Sequence, residues 1–326
     1  MDEWTQRRRQ KLLTGLSVSE KLGLEIGALD KPIIKRTDGD VIYVDHADTP
    51  ALRAKYGHDS NVASESIVDV DAVWGKNTLY EAVQRKVDYI IASHVIEHVP
   101  DLITWLTELN QILNDNGTVR LAVPDRRFTF DVLRHETVLS EILHAHLLKP
   151  RAPMPVAIFD YILNTRKVNS AEAWDGKIDL ASLKGPRTVN ESISLAESIL
   201  KSGEYHDVHC WVFTPRSFAT LFEQMATAGL INFACEHFFD TIEHELEFFV
   251  IMRKCDDRQE LIESWKRMAN AAADHITGTP LDKALRELEH TKLELDSAKQ
   301  RLHNLETSTS WKVTQPLRSV MGALRS

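Results

Sequence analysis

Short apolar runs alternate with stretches of helical periodicity from about residue 22 to 125. Residues 24–27, 41–45, 66–71, 87–93 and 118–124 read as five strands, since they are rich in β-branched residues and bounded by polar or turn-forming ones. Strands alternating with helices imply a parallel sheet with right-handed crossovers. The clearest helix follows Pro100-Asp101. Leu102, Trp105, Leu106, Leu109, Ile112 and Leu113 form one apolar stripe, and Asn116-Gly117 is expected to stop it.

From about Arg126 to Glu204 the pattern becomes helical and irregular, broken by the proline-rich stretch 149–155. Thr214-Pro215 then caps a helix with Phe218, Leu221, Phe222 and Met225 on one face, ending at Gly229. Two apolar runs follow, 231–239 and 246–252, separated by a polar stretch with Glu243-His-Glu245, and read as a closing strand pair. The organisation expected is a core from 1–126 and 205–256, interrupted by a helical insert at 127–204. After it come a linker helix over 257–280, a coiled coil over 281–306 and a tail over 307–326.

The coiled coil rests on Leu281, Leu288, Leu295 and Leu302, which recur every seven residues, with Ala284, Thr291, Ala298 and Leu305 at the complementary position. One long amphipathic helix docked on its own domain is the alternative. The coiled coil predicts a homodimer or homo-oligomer.

Composition narrows the function. Of 326 residues, 43% are hydrophobic and 27% charged, the balance of a folded soluble chain. The net charge of −9 argues against a nucleic-acid partner. Cys210, Cys235 and Cys255, odd in number and without CxxC spacing, argue against a disulfide framework or structural zinc. The start, Met1-Asp-Glu-Trp-Thr-Gln-Arg-Arg-Arg, has no apolar core for a secretory signal, and 248–252 is far too short to span a membrane. A cytoplasmic protein is expected.

Parallel sheets bind ligands at the carboxyl ends of their strands. After the first strand, Gly27 permits a tight turn and close backbone approach, and Glu25 can orient that loop or accept from an ammonium. Asp45 ends the second strand, eighteen residues beyond Gly27, where a carboxylate can take both ribose hydroxyls. Asp71 ends the third and can accept from an exocyclic amine. The fourth leads into Ser93-His94-Val-Ile-Glu97-His98.

Leu24-Glu-Ile-Gly27, Tyr43-Val-Asp-His46, the run Asp88 to Asp101 and the run Leu113 to Asp125 together resemble the class I S-adenosylmethionine-dependent methyltransferases. The resemblance covers about 20–127 and resumes at about 209–253. It implies an α/β, Rossmann-like, mostly parallel sheet with a final antiparallel strand; the residue pattern adds an inserted helical lid and a C-terminal coiled-coil helix. The cofactor it implies is S-adenosylmethionine. Glu25, Gly27 and Ala28 would border the methionine moiety, Asp45 the ribose, Asp71 the adenine, and Ser93 and His94 the sulfonium side, with His46 a further cofactor-binding residue. This chain departs from the family in two ways. Its first loop holds only Gly27, and only residues 28–40 link the first two strands, so the first helix must be short or irregular.

An alcohol acceptor needs a general base, whereas an amine or carboxylate needs less help. Within Glu204-Tyr-His-Asp207-Val-His209-Cys-Trp211, an extended chain would put Asp207 and His209 on one side. His209 is therefore the first base candidate, with Asp207 to orient it, and His98 is the second. Arg126 and Arg127 after the fifth strand are candidates to hold the substrate. His135, His144 and His146 lack metal-ligand spacing on one helical face, and no metal is assigned.

Past Glu306 the only charges are Lys312, Arg318 and Arg325, and Pro316 can open a helix with Leu317, Val320, Met321 and Leu324 on one face. Such a basic amphipathic segment fits a membrane surface or a partner groove. Ser310-Trp-Lys-Val-Thr-Gln-Pro-Leu-Arg318 behind a coiled coil also resembles the tails of bacterial glycosyltransferases and methyltransferases that build surface polysaccharides. That resemblance implies a saccharide or lipid-linked glycan acceptor, work at the inner face of the cytoplasmic membrane, and contact there with membrane or a glycosyltransferase complex. Methylation of a small metabolite or protein side chain, and a non-catalytic scaffold of a polysaccharide-synthesis complex, remain open. A dinucleotide oxidoreductase is disfavoured, since GxGxxG is absent.

Overall fold

The computed structural model describes residues 3–273, except 76, 181, 184, 186, 187 and 203–205, together with 288, 291, 292, 295 and 299. The chain divides into two compact units, Met1–Asp274 and His275–Ser326. In the second unit the five described residues are helical, and Leu288 and Leu295 are exposed. The remainder of the expected coiled coil and all of the tail lie outside the described residues.

The first unit is built on a seven-stranded sheet: β1 (Gly23–Ile26), β2 (Val41–Asp45), β3 (Ala72–Val73), β4 (Val87–Ser93), β5 (Leu113–Pro124), β6 (Phe233–Phe239) and β7 (Glu247–Lys254). Its order is β3-β2-β1-β4-β5-β7-β6. The first five strands run parallel, and β7 lies antiparallel between β5 and β6. This is the Rossmann-like α/β fold expected. Ile26 aligns with Val44 on one side and Ala92 on the other, so Gly27 follows β1 at the level where Asp45 and Ser93 end β2 and β4.

Ten helices accompany the sheet among the described residues: α1 (Glu3–Leu12), α2 (Thr49–Tyr56), α3 (Leu79–Val83), α4 (Leu102–Ile112), α5 (Leu139–Leu148), α6 (Pro155–Asn164), α7 (Ser170–Trp174), α8 (Val189–Ser202), α9 (Pro215–Thr227) and α10 (Arg258–Ala271). Asp101 caps α4 by accepting from the Thr104 amide at 3.0 Å. Its apolar stripe packs beneath the sheet with Leu24, Ile26, Ile90 and Leu121. Thr214 caps α9, with Pro215 in the first turn, as the sequence suggests.

Several expectations are corrected. Strand 66–71 does not form; β3 is only Ala72–Val73. The Thr49 hydroxyl bridges Val68 O and Val70 N, taking backbone groups that a ladder would use. α4 ends at Ile112, and Leu113 already pairs with Val87. Residues 114–117 form an irregularity inside β5, where Asn114 bonds Asp88 at 2.8 Å. The linker helix is instead a core element. In α10, Leu261, Trp265 and Met268 are buried, and the Trp265 indole donates to Phe233 O at 2.8 Å.

No helix joins β1 to β2. α1, which reads as polar, covers that face instead. Leu12 packs with Ile33, Ile34, Tyr43, Tyr89 and Ile91, and Arg9 bonds Asp38 at 2.7 Å. The insert is helical as expected, with α6 and α8 sharing a small apolar cluster of Ile158, Ile162, Ala196, Ile199 and Val208.

Candidate active site

The first part of the site is the rim formed by the ends of β1, β2 and β4. Gly27 has φ +69°, and a Cβ there would sit 3.2 Å from the Val95 side chain, so both conformation and space favour glycine. Asp45 is buried at the end of β2. Its Oδ1 accepts from the His46 amide at 2.7 Å and faces His46 Nδ1 at 2.6 Å. Its Oδ2 has no protein partner among the described residues. Ala28 is buried beside the Gly27 turn.

Glu25 does something other than line the ligand space. It accepts from the Ile33 and Ile34 amides at 2.7 and 3.0 Å, folding the helix-free crossover over the α1 side of the sheet. Of the two roles read from sequence, loop orientation is what this geometry performs. Burial pushes its carboxyl up to about 7 against the pull of the two amides and of Arg8 and Arg9.

Asp71 is also corrected. It precedes β3 instead of ending it, and accepts from the Tyr43 amide at 2.8 Å, two residues before the end of β2. Both its oxygens bind Arg36 at 2.8 Å, so the carboxylate holds the sheet edge instead of facing an adenine. At the true end of β3 stand exposed Val73 and Trp74, whose indole donates to Glu108 at 2.9 Å.

At the end of β4, Ser93 and His94 are tied to α1 and β7. Arg8 donates to the Ser93 hydroxyl and, at 2.6 Å, to Glu247; the other Glu247 oxygen meets His94 Nε2 at 2.8 Å. Burial opposes the His94 charge, but the Glu247 hydrogen bond and the Glu247 and Glu97 charges win and raise its pKa.

The second part of the site gathers around Glu97, in the short 3-10 turn Ile96–His98. Its side chain is fully buried, and neither carboxylate oxygen has a hydrogen-bond partner. Three imidazoles face it: His94 Nδ1 at 3.6 Å, His98 Nε2 at 3.8 Å and His209 Nε2 at 3.9 Å from Oε1. The Cys210 and Trp211 amides both donate to Glu97 O, at 2.6 and 3.1 Å, which brings residue 209 to this turn.

His209 Nδ1 lies 2.5 Å from Asp131 Oδ2, and Asp131 Oδ1 accepts from Arg134 at 2.9 Å. Arg134, itself buried, also donates to His209 O and to Asp160. Burial works against the Asp131 charge, yet His209 and Arg134 hold its carboxyl below the ordinary range. Phe130 and Tyr161 flank the His209 ring with centroids at 4.7 and 5.9 Å.

The Asp207–His209 pairing is therefore corrected. Val208 N donates to His206 O at 3.0 Å, a turn that breaks strand-like alternation. Asp207 lies instead 3.1 Å from His98 Nδ1, which also meets Val208 O at 3.2 Å. Burial lowers the His98 pKa overall. Thus both base candidates stand in one cluster, each with its own carboxylate, and the orienting residue of His209 is Asp131.

Arg126 and Arg127 line a cleft of about 640 Å³ together with Thr214 and Arg216. Arg127 is matched by buried Asp125, at 2.7 Å, and Arg126 donates to Val132 O at 2.8 Å. Their guanidinium groups thus support the wall of the cleft, and the Arg127 charge is already balanced. A separate cavity of about 480 Å³ lies under the insert, with Arg134, His144, Met154, Asp160 and Trp211 in its wall. His135 pairs with Glu141 at 2.9 Å and His146 with Asp101 at 3.4 Å, and neither reaches the Glu97 cluster.

Residues 45–226, more than half of the chain, match the family model described as a methyltransferase domain. The chain belongs to this methyltransferase family. The matched span of the methyltransferase runs from Asp45 through the Glu97 turn and the insert to α9, and so contains Asp131 and His209. No curated protein matches it. Among solved structures, CcbJ methyltransferase from Streptomyces caelestis is 10% identical over 78% of this chain and 100% of that one, with TM-score 0.40. The DhpI–SAH complex is 12% identical over 78% and 86%, with TM-score 0.38. A ribosomal protein L11 methylase from Lactobacillus delbrueckii subsp. bulgaricus is 11% identical over 78% and 80%, with TM-score 0.32. The family match, not these distant likenesses, decides the assignment.

Proposed function

We propose that this methyltransferase moves a methyl group from S-adenosylmethionine to a hydroxyl oxygen of a saccharide or lipid-linked glycan. The rim of β1, β2 and β4 suits the donor: Gly27 lets backbone approach closely, and Asp45 presents an unengaged oxygen at the level where a ribose would lie. When bound, the donor supplies a sulfonium methyl, which passes to the acceptor oxygen while the S–CH3 electron pair stays on sulfur. The protein's part is alignment, which can contribute roughly 7–11 kcal/mol.

The observation that carries an oxygen acceptor is the buried Asp131–His209 pair beside the Glu97 turn that follows β4. A hydroxyl is a poor nucleophile and needs activation, and Asp131 fixes His209 so that Nε2 faces the Glu97 cluster. An amine or carboxylate acceptor has less use for such an arrangement. The glycan itself is supported by the tail, whose sequence resembles those of surface-polysaccharide enzymes. No described helix is long and apolar enough to cross a membrane. We assign pairing of two copies to 281–306, where Leu288 and Leu295 are helical and exposed, and contact with the membrane surface to 307–326.

The test is transfer of labelled methyl from S-adenosylmethionine to the glycan fraction of the source cells. Label held as a base-stable ether supports the reading. Label recovered only in protein, or lost on mild base treatment as an ester, contradicts it.

A further inference from the structure

We infer that Glu97, His98 and His209 together bind a divalent cation of the first transition row, and that this cation holds the acceptor hydroxyl. The second half of the statement rests on the proposed function; the cation site stands without it.

A buried carboxylate with neither oxygen hydrogen-bonded is costly and is normally paired or bound to a metal. None of the three imidazoles that face Glu97 reaches it with a hydrogen bond: His94, which engages Glu247 through Nε2, brings its Nδ1 no nearer than 3.6 Å. His209 directs Nδ1 to Asp131, and His98 directs Nδ1 to Val208 O and Asp207. A neutral ring that gives its Nδ1 proton to such acceptors presents Nε2 as a lone pair. The Glu97 oxygen and two imidazole lone pairs then converge with no proton between them. Separations of 3.8 and 3.9 Å are too long for hydrogen bonds. All three ligand atoms do lie within 4.8 Å of one another. With metal–ligand bonds of about 2.0–2.2 Å, two ligands on one ion stand roughly 3.0–3.5 Å apart, so the two Glu97–imidazole separations must close by about 0.5 Å and the widest pair by at most about 1.5 Å.

The supporting residues fit as well. Metal-binding histidines generally donate their second nitrogen to a carboxylate or carbonyl, and both rings here do so. Two imidazoles and one carboxylate favour manganese, iron, cobalt or zinc over magnesium or calcium, which prefer oxygen ligands alone. Three protein ligands leave positions open. The side chains of His98 and His94, 19% and 32% exposed, mark the side from which an acceptor would enter. A hydroxyl bound there loses its proton to water more readily, and its oxygen then forms the new C–O bond as the S–CH3 bond breaks. His209 thereby acts on the acceptor as a ligand of the cation instead of as the base.

Titration of the chelator-treated full chain with Co²⁺ or Mn²⁺, without donor or acceptor, tests the site. One equivalent should bind, giving cobalt d–d absorption and removing the paramagnetic signal of free manganese. Glu97→Gln and His209→Ala should each weaken binding at least tenfold. His237→Ala, at an exposed histidine on β6, should not. Where circular dichroism shows that Glu97→Gln is misfolded, His98→Ala at the less deeply buried ring replaces it. No stoichiometric binding by the wild type, or equal binding by the Glu97 (or His98) and His209 variants, overturns the inference. A chain that binds S-adenosylmethionine but no cation refutes only the cation site. One that binds cation but no S-adenosylmethionine refutes only the methyl-transfer reading.

Discussion

Asp131 Oδ2 and His209 Nδ1 meet at 2.5 Å across 78 residues of sequence, inside a wall made by Phe130, Tyr161 and Arg134. The pair is built by the insert on one side and by the return of the chain to the core on the other. A helical insert that supplies Asp131 is therefore more than a cover, because it fixes a buried imidazole that faces Glu97.

Asp131→Asn should leave S-adenosylmethionine affinity intact and lower turnover by about 10–100-fold, the usual effect of losing such an outer carboxylate. Asp207→Asn, acting on the more exposed His98, should cost less. Steady-state kinetics with a fixed glycan acceptor give both numbers. Equal effects from the two substitutions would show that Asp131 has no special role.

Arg8 holds α1 to the sheet through Glu247, which has no exposed side-chain surface. Arg8→Met should destabilise the fold by about 3 kcal/mol, because it leaves a buried carboxylate with His94 as its remaining partner. The urea unfolding midpoint reads the loss. A midpoint within error of wild type would mean that the ion pair is neutral relative to an apolar replacement.

Glu25 gives the fold an uncommon pH dependence. Its carboxyl is raised from 4.5 to about 7 in the folded state by burial, so the folded chain binds the proton more tightly than the unfolded chain. The stabilisation is complete below about pH 4.5 and is lost as pH rises to about 7, a change on the order of 3 kcal/mol. Glu25→Gln should flatten the stability profile across that window. An unaltered slope would place the titration elsewhere.

Truncation after Glu306 should shift the protein from the membrane fraction to the supernatant while keeping cofactor affinity. Truncation after Thr279 should also abolish the dimer in sedimentation analysis. A monomeric full-length chain would remove the pairing assigned to 281–306.

Four of the five leading strands, the capped helix at Thr214 and the closing pair were legible because their signals are local: apolar runs, turn residues and caps. α1 was not, since Arg8 and Leu12 are its only buried residues and the segment reads as charged surface. Strand 66–71 was misplaced because its alternation is real but its backbone groups go to Thr49. In the site, Gly27, Asp45, His98 and His209 could be singled out by residue type and position. Asp131 could not, because nothing near Phe130 announces a partner at residue 209. The Asp207 assignment failed for a related reason. It assumed an extended chain where a turn at Val208 sends that carboxylate to His98.

Calorimetric titration of the full chain with S-adenosylmethionine addresses the rim at β1, β2 and β4 most directly. The wild type should bind one equivalent at micromolar concentration, and Asp45→Ala should bind at least tenfold more weakly while unfolding at the same urea concentration. No heat from the wild type, or undiminished affinity in Asp45→Ala, would contradict a donor site at the end of β2.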